Sequence, residues 1–213
     1  MTRLETRCEA RFRAAAPREL YERLWRYLAR VYPGEYEKVV NNYRFEAALT
    51  LLPHQRRAQI ETDLPQEAHA MGLRSSVERF PNTTDTFVLV HIADDVKLIV
   101  CYVRNKDAAV RYAQARANLA NENNQPYLLP PPVERTVLGP QTLFAILTHN
   151  ADANSVGQFE GGQVIFPPPD QVSRLGSLDL KQEMERVQQE DAEQAAVVKR
   201  KVEIKIKKGG DVS

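Results

Sequence analysis

The segment "TFVLVHIADDVKLIVCYVRN", residues 86–105, carries the clearest strand pattern in the chain. Two apolar runs rich in β-branched residues flank Asp94-Asp95, and this pattern around two turn-forming residues predicts a β-hairpin. With those two residues as the loop, the expected register sets His91 opposite Leu98, Leu89 opposite Val100 and Phe87 opposite Tyr102.

Both faces of this hairpin are apolar. The face opposite His91 and Leu89 is expected to carry Val88, Val90, Ile99 and Cys101. Strands that are apolar on both faces are typical of the covered centre of a sheet. "TLFAILTH" (142–149) and "GQVIF" (162–166) predict a third and a fourth strand, and the two glycines of "FEGGQ" (159–163) predict a turn.

The N-terminal region has helical periodicity instead. In "PRELYERLWRYLARV" (17–31), Leu20, Leu24, Leu28 and Val31 recur at helical spacing, and Pro33-Gly34 is expected to end that helix. A second helix is predicted over about residues 35–49. Residues 52–72 predict one or two short helices, punctuated by Pro53, Pro65 and Gly72.

These patterns together predict an α+β fold, with an N-terminal helical layer packed on a small, mostly antiparallel sheet. A further helix, residues 106–123, is expected behind the hairpin. We expect one domain over residues 1–177, its helical part about 1–72 and its sheet part about 73–177. Residues 178–213 form a charged helix and basic tail, a candidate partner-binding appendage.

Charge is sorted by position in that C-terminal segment. Residues 179–193 hold six acidic and two basic side chains, whereas residues 199–208 hold six basic and one acidic side chain. Leu180, Met184 and Val187 are loosely in helical phase. In "KRKVEIKIKK" (199–208), apolar and charged residues alternate, which indicates a strand that adds to a sheet edge; a solvated basic arm is the equally weighted alternative.

Composition bounds the location and the partners. The 213-residue chain has a net charge of +1, which argues against a polyanion-binding surface over the whole protein. The N-terminus lacks the apolar stretch of a signal peptide, and no apolar run reaches the roughly 20 residues that span a bilayer. We therefore expect a soluble, cytoplasmic protein without a membrane span. Two cysteines, Cys8 and Cys101, make no disulfide framework.

Two strands end in similar polar residues, "HIAD" (91–94) and "HNAD" (149–152). If His91 and His149 converged, with Asp94 and Asp152 beside them, the four could serve as catalytic residues, as a general acid–base pair. The two imidazoles could also bind a divalent metal. The alternative is structural, because aspartate is favoured in turns and a histidine on an apolar face is commonly a core residue. No complete metal-ligand motif is present.

Basic residues offer a second set of candidate sites. Arg23, Arg26 and Arg30 lie on one face of the first predicted helix, where they could bind phosphates; Glu19 and Glu22, four residues before Arg23 and Arg26, favour ordinary surface ion pairs instead. The tail is a candidate site for nucleic acid or a protein partner. Its basic residues are Lys199, Arg200, Lys201, Lys205, Lys207 and Lys208.

A triproline sequence occurs twice, in "YLLPPPVERTVLG" (127–139) and "VIFPPPDQVSRLG" (164–176). Consecutive prolines adopt the extended polyproline II conformation, which an aromatic-lined groove can bind. Both copies directly follow apolar residues, so we favour a structural role in which the prolines end a buried strand. The two segments are then expected to follow similar extended paths.

Three functional hypotheses follow from these observations. The first is a non-enzymatic binding or regulatory protein whose C-terminal segment engages a protein partner or nucleic acid, with no cofactor. The second is a small metal-dependent hydrolase or nuclease that uses His91, Asp94, His149 and Asp152 with a divalent metal. The third is nucleic-acid binding through the arginines and the basic tail. Phosphate-binding glycine loops, nucleophile elbows, zinc spacings and EF-hand loops are absent from the sequence.

Overall fold

The computed structural model describes residues 6–79, 86–103, 142–152, 154–167 and 174–209, with side chains as far as Lys199 in the last range. Within these ranges the fold is α+β, as predicted, with four helices and six strands. In chain order these are α1 (Arg7–Ala15), α2 (Leu20–Asn42), α3 (Phe45–Ala70), β1 (Arg74–Arg79), β2 (Thr86–Ala93), β3 (Val96–Tyr102), β4 (Leu143–Ala151), β5 (Phe159–Ile165), β6 (Ser177–Asp179) and α4 (Leu180–Gly209).

The six strands form one sheet in sequence order, from β1 to β6. All neighbours are antiparallel except β3 and β4, which run parallel. The predicted hairpin is confirmed as β2 and β3, and the predicted third and fourth strands as β4 and β5. The edge strands β1 and β6 were not predicted, because β1 is largely polar and β6 is only three residues long.

The expected register of the hairpin is wrong by one residue. Ala93 pairs with Val96, but a β-bulge follows, so His91 lies opposite Lys97 and Val90 opposite Leu98. A one-residue shift moves side chains to the other face of a sheet. Val88 and Val90 consequently share a cluster with Leu98, while Leu89 shares one with Ile99.

All four helices contribute to one cluster, on one face of this sheet. Phe12 of α1, Leu24 of α2, Ile60 of α3 and Leu180 of α4 pack with side chains of the strands, such as Leu147, in the main hydrophobic cluster. The opposite face carries a second buried cluster, formed by Leu89, Ile99, Val103, Phe144, Ile146 and Ile165. The central strands are therefore apolar on both faces, as expected. The predicted helix over residues 106–123 lies outside the described residues.

Two predicted helix boundaries are wrong. Helix α2 continues through Pro33-Gly34 to Asn42, so the predicted second helix over 35–49 begins only at Phe45. Tyr32 precedes the proline, Val39 follows it, and both are buried. Their packing compensates the hydrogen bond that a helical proline removes, a loss of about 3 kcal/mol.

Residues 52–72 likewise belong to one helix instead of short ones. Helix α3 contains Pro53 and Pro65 and ends just before Gly72. Gly72 has φ +70°, its N–H donates to the carbonyl of His69, and Leu73 N–H donates to that of Ala68. This is the Schellman arrangement, in which glycine occupies the left-handed position.

Gly161 and Gly162 lie inside strand β5, so the predicted turn at residues 159–163 is wrong. Gly162 pairs with His149 of β4, and a Cβ atom at Gly162 would lie only 2.9 Å from the carbonyl oxygen of Thr148. The glycine is required here by the close approach of a neighbouring backbone.

The second triproline segment is described only at its ends. Strand β5 stops at Ile165, and the backbones of Phe166, Leu175 and Gly176 pair where the chain returns towards β6. Residues 168–173 and the whole first segment, 127–139, lie outside the described residues. The expectation that the two segments follow similar paths therefore stays a prediction.

The predicted boundary between residues 177 and 178 falls within β6, which pairs with β5. Asp179 then caps α4, because its carboxylate accepts hydrogen bonds from the N–H groups of Lys181 and Gln182 at 3.0 Å each. Helix α4 continues to Gly209, so the strand predicted over 199–208 is wrong. None of the described helices combines the length and the apolar composition that a bilayer span requires.

Candidate functional site

A buried polar cluster lies between helices α2 and α3 and the centre of the sheet. We call it the Arg56 cluster, and it comprises Tyr32, Arg56, Tyr102 and His149. Tyr32 and Arg56 come from the facing helices, while Tyr102 and His149 are directly opposite each other on β3 and β4. It contains His149, which is 2% exposed and is the only fully enclosed residue among the predicted site residues whose side chains are described.

His149 is held as a neutral imidazole. Its Nδ1 atom shares a hydrogen bond with the Tyr32 hydroxyl at 2.8 Å, and the rings of Tyr32 and Tyr102 both contact it edge-on. Burial, with a smaller contribution from the charge of Arg56, lowers the pKa of His149 to about 3. A sealed, neutral side chain of this kind has no access to a substrate, and it serves as a core residue.

Arg56 is 2% exposed and has no carboxylate partner among the described residues. One of its Nη atoms donates to the carbonyl of Tyr32 at 3.3 Å and to that of Val156. Its guanidinium carbon lies 4.0 Å from the centre of the Tyr32 ring, a cation–π contact. Burial lowers the pKa of Arg56, and its Nε–H has no hydrogen-bond partner in the described part of the chain.

The Arg56 cluster therefore joins four parts of the fold. The Arg56 side chain ties α3 to the backbone of α2 and to the turn at Val156, and Tyr32 ties α2 to β4. Burial also raises the pKa of the Tyr32 hydroxyl well above its ordinary value, so this group stays protonated. Its members hold elements together; Tyr32, Arg56 and His149 are buried, and Tyr102 is partly buried.

His91 lies on the other face of the sheet from His149. Its neighbour Leu89 belongs to the second cluster, whereas Leu147, two residues before His149, belongs to the main one. His91 is partly buried, its Nε2 lies 3.3 Å from the hydroxyl of Ser76, and burial, then the charges of Arg74 and Lys97, lower its pKa.

The structure does not bring the two histidines together. His91 is opposite Lys97 on β3 and His149 is opposite Tyr102 on the same strand. Five residues along β3 and two strand spacings across it separate the two Cα atoms by about 19 Å. One metal ion, with ligand distances near ~2 Å, does not bridge such a separation. No group of three or more metal-ligating side chains occurs in the part of the chain described.

Both aspartates have structural partners. Asp94 is almost fully exposed in the hairpin loop and pairs with Arg74 at 2.5 Å. The carboxylate of Asp152 accepts hydrogen bonds from the N–H groups of Asn154 and Ser155, at 2.7 and 3.2 Å. Asp152 thereby stabilises the turn after β4, the structural role that aspartate commonly has after a strand.

The arginine stripe on α2 is matched by carboxylates. Arg23 pairs with Glu19 at 3.0 Å, Arg26 with Glu22 at 2.6 Å and Arg30 with Glu67 at 3.0 Å. Glu67, on α3, was not foreseen as a partner. These are solvent-exposed ion pairs of small energetic value, and they leave little net positive charge for a phosphate.

A surface cleft of about 360 Å³ opens near the α2–α3 turn. Its lining mixes charged, amide, apolar and aromatic side chains: Glu35, Lys38, Val39, Asn42, Tyr43 and Gln55. The Glu35 carboxylate accepts a hydrogen bond from Lys38 at 2.6 Å, so the acid and the base of the cleft neutralise each other. The lining favours no ligand of one particular charge.

The first half of α4 is bound to the body of the protein. Leu180 is fully buried, and Met184 and Val187 pack against the main cluster. Glu183, 4% exposed, accepts hydrogen bonds from Arg13 of α1 and from Arg186. Burial tends to raise the pKa of Glu183, but the hydrogen bonds from Arg13 and Arg186 outweigh it and lower the pKa.

The second half of α4 leaves the body. Arg18 pairs with Glu190 and Asp191 at 3.4 and 2.7 Å, and every described side chain from Asp191 to Lys199 is exposed. Val197 and Val198 are 50% and 60% exposed. From Asp191 to Gly209 the helix extends about 28 Å at a rise of ~1.5 Å per residue.

Sequence reasoning missed Arg56 and the contacts that hold α4, although one signal was present. Ala48, Leu52, Ile60, Leu64 and Ala68 recur every four residues on α3, and Arg56 fills the missing position of this buried stripe. A basic residue at the centre of an apolar helical stripe indicates a buried polar cluster. Contacts such as Arg13–Glu183 join residues too distant in sequence for any local pattern to reveal.

No family model, curated protein or solved structure matches the chain.

Proposed function

We propose that the protein is a non-enzymatic binding protein whose regulatory contact is made by the second half of α4, which engages an acidic protein partner. The observation that supports the proposal is the separation of charge along this helix. Its acidic half lies against arginines of the body, and its basic half extends beyond the last of these contacts.

The carboxylates at the N-cap and in the first half of α4 already have partners. Asp179 caps the helix, Glu183 binds Arg13, and Glu190 and Asp191 bind Arg18. Beyond them, residues 199–208 contain six basic residues and the single acid Glu203. The positive charge of this end is not balanced along the helix, so it favours a partner of negative charge.

An apolar stripe distinguishes a protein partner from nucleic acid. Positions 195, 198, 202 and 206 follow one another at helical spacing on one side of α4, and they are Ala, Val, Val and Ile. Val198, the largest of those whose exposure is described, is 60% exposed. A stripe of this kind fits the floor of a hydrophobic groove, whereas phosphates would make no use of it.

The exposure of this half of the helix supports the same conclusion. Most helical stability in proteins comes from packing of an amphipathic face, so a partner that buries the apolar stripe would stabilise it. The metal-dependent hydrolase or nuclease has no comparable support, because its four residues are dispersed over the sheet. Binding of phosphates by Arg23, Arg26 and Arg30 is opposed by the carboxylates that pair with them.

The test compares partner capture by the full chain and three variants. The tail-neutral variant replaces six bases with Gln, and the stripe variant replaces three apolar residues with Ser. The control variant replaces three paired arginines with Gln, which also removes positive charge. In that order, the changed residues are Lys199, Arg200, Lys201, Lys205, Lys207 and Lys208; Val198, Val202 and Ile206; and Arg23, Arg26 and Arg30.

Captured proteins are quantified by mass spectrometry after nuclease treatment. We expect an acidic protein that is retained by the wild type and by the control variant and is lost from both the tail-neutral and the stripe variants. Binding that disappears with nuclease and survives in the stripe variant would identify nucleic acid and overturn the proposal. Equal capture by all four proteins would also overturn it.

A further inference from the structure

Strand β1, Arg74–Arg79, forms an exposed edge of the sheet. All six residues pair in continuous register with β2 on one side, from Arg74 opposite His91 to Arg79 opposite Thr86. Among the described strands, none lies on its other side. Four of its six side chains are exposed, and Val77 is 66% exposed.

This edge lacks several of the features that usually prevent strands from pairing between molecules. Exposed edges are commonly protected by charged side chains, especially lysine, by proline or by a bulge, or are kept very short. Strand β1 does carry three charged side chains, Arg74, Glu78 and Arg79. Strand β1 contains neither proline nor lysine, and its ladder with β2 is regular. The opposite edge, β6, has only three residues and continues directly into α4. Strand β1 therefore presents backbone N–H and C=O groups in an open, regular row.

The charges of β1 select one way for two copies to pair. If the six residues overlapped fully in an antiparallel pair, Arg74 would face Arg79 of the second copy, which is unfavourable. A shift by one residue places the two-fold axis at Ser76. Arg74 then faces Glu78 of the second copy, Glu78 faces Arg74, and the two Ser76 residues meet at the axis.

A shift by one residue in the other direction would place the two-fold axis at Val77. Arg79 would then face Ser75 of the second copy, and no charge pair would form. Directly opposite residues of an antiparallel pair share a face, so Arg74 and Glu78 of the second copy can form an ion pair. Arg74 is 75% exposed, and its guanidinium pairs with the exposed Asp94 in the hairpin loop. Glu78 is held by the hydroxyl of Ser76 at 2.8 Å.

We propose that β1 pairs antiparallel with β1 of a second copy of this chain about a two-fold axis at Ser76, so that two sheets join into one. The contact is isologous, because each copy contributes the same strand. A single pair of short strands is a small interface, so the dimer is expected to be weak and to form reversibly at high protein concentration.

The experiment is sedimentation velocity of the full chain from micromolar to near-millimolar concentration. The variants are Arg74→Glu, Glu78→Arg and the double variant that carries both changes. Each single variant sets like charges opposite each other twice, and we expect the dimer dissociation constant to rise about tenfold or more. The double variant restores opposite charges, and we expect its dissociation constant to return to near the wild-type value.

Arg79→Glu is the matched control, because it reverses a charge on the same strand at a position that faces Leu73 of the second copy. Its dissociation constant should stay close to that of the wild type. Circular dichroism of every variant verifies that the monomer remains folded. A wild type that is monomeric throughout would overturn the proposal. A double variant that does not recover, or a control that loses the dimer, would also overturn it.

Discussion

The Arg56 cluster and the basic end of α4 are both cationic, but they differ in what surrounds the charge. Arg56 is enclosed by an aromatic ring and two backbone carbonyls, and its contacts hold α2, α3 and the turn at Val156. On α4, the last ion pair with the body among the described side chains is that of Asp191 with Arg18, and Lys199, the first base of the basic end, is exposed. An enclosed charge can act only on its own fold, whereas a charge outside the body is available to a partner.

Replacing Arg56 with Ala is the strongest way to test this comparison. The substitution leaves the carbonyls of Tyr32 and Val156 without their donor and opens a cavity beside the Tyr32 ring. We expect the free energy of unfolding to fall by about 3 kcal/mol, measured by urea denaturation. Arg26→Ala is the control, because Arg26 is largely exposed and its loss should change the free energy by about 0.5 kcal/mol or less. Equal effects of the two substitutions would contradict the bracing role of Arg56.

The pH dependence of stability tests the enclosure of His149. In the unfolded chain this imidazole titrates near its ordinary pKa of 6.5, but in the folded protein it stays neutral until about pH 3. Below pH 6.5 the unfolded state therefore binds more protons. The stabilisation that comes from keeping His149 neutral is therefore complete above pH 6.5. As the pH falls below 6.5, the free energy of unfolding decreases by at most about 1.4 kcal/mol per pH unit.

In His149→Gln the free energy of unfolding should depend less steeply on pH between 6.5 and about 4.5. Glutamine can still share a hydrogen bond with the Tyr32 hydroxyl, and it does not titrate. Exposed His54 provides the control: His54→Gln should keep the slope of the wild type. An unchanged slope in His149→Gln would show that this histidine is not sealed in the core. The measurement is urea denaturation at a series of pH values.

The smallest effect on stability is expected at the basic end of α4. The tail-neutral variant should change the free energy of unfolding by less than about 0.5 kcal/mol, because surface substitutions away from packed features have small effects. The same urea titration measures it. A loss approaching that of Arg56→Ala would mean that the basic end packs on the body, and the contrast between the two regions would fail.

The order of helices and strands could be predicted from sequence because it depends on local periodicity. The apolar runs around Asp94-Asp95 predict the hairpin, and the stripe of Leu20, Leu24 and Leu28 predicts α2. Each pattern involves only residues that are close together in the sequence. Pro33 misled the prediction because buried residues on both sides of it keep α2 continuous. The bulge beside His91 shifts the pairing of β2 with β3 by one residue, so side chains of the two strands that were expected on opposite faces share a face. No residue in the loop indicates this bulge.

The candidate sites were harder to predict than the fold. His91 and His149 end similar sequence fragments, yet the parallel order of β3 and β4 and the alternation of faces keep them apart. Arg56 could have been found from the interval of four residues on α3, because it occupies a position that its neighbours on the stripe bury. The exposure of the described α4 side chains from Asp191 to Lys199 depends on where the body ends, and no sequence pattern indicates that point.

The parallel pairing of β3 with β4 also governs the order in which the chain can fold. About 40 residues separate these neighbours, whereas β2 and β3 are joined by a two-residue turn. Closing a long loop costs conformational entropy before any contact compensates it, so non-local pairings form slowly. The hairpin can form early, but the central strand β4 must wait for the long connection to close. During synthesis, the edge of β3 that pairs with β4 therefore stays unpaired until β4 has left the ribosome.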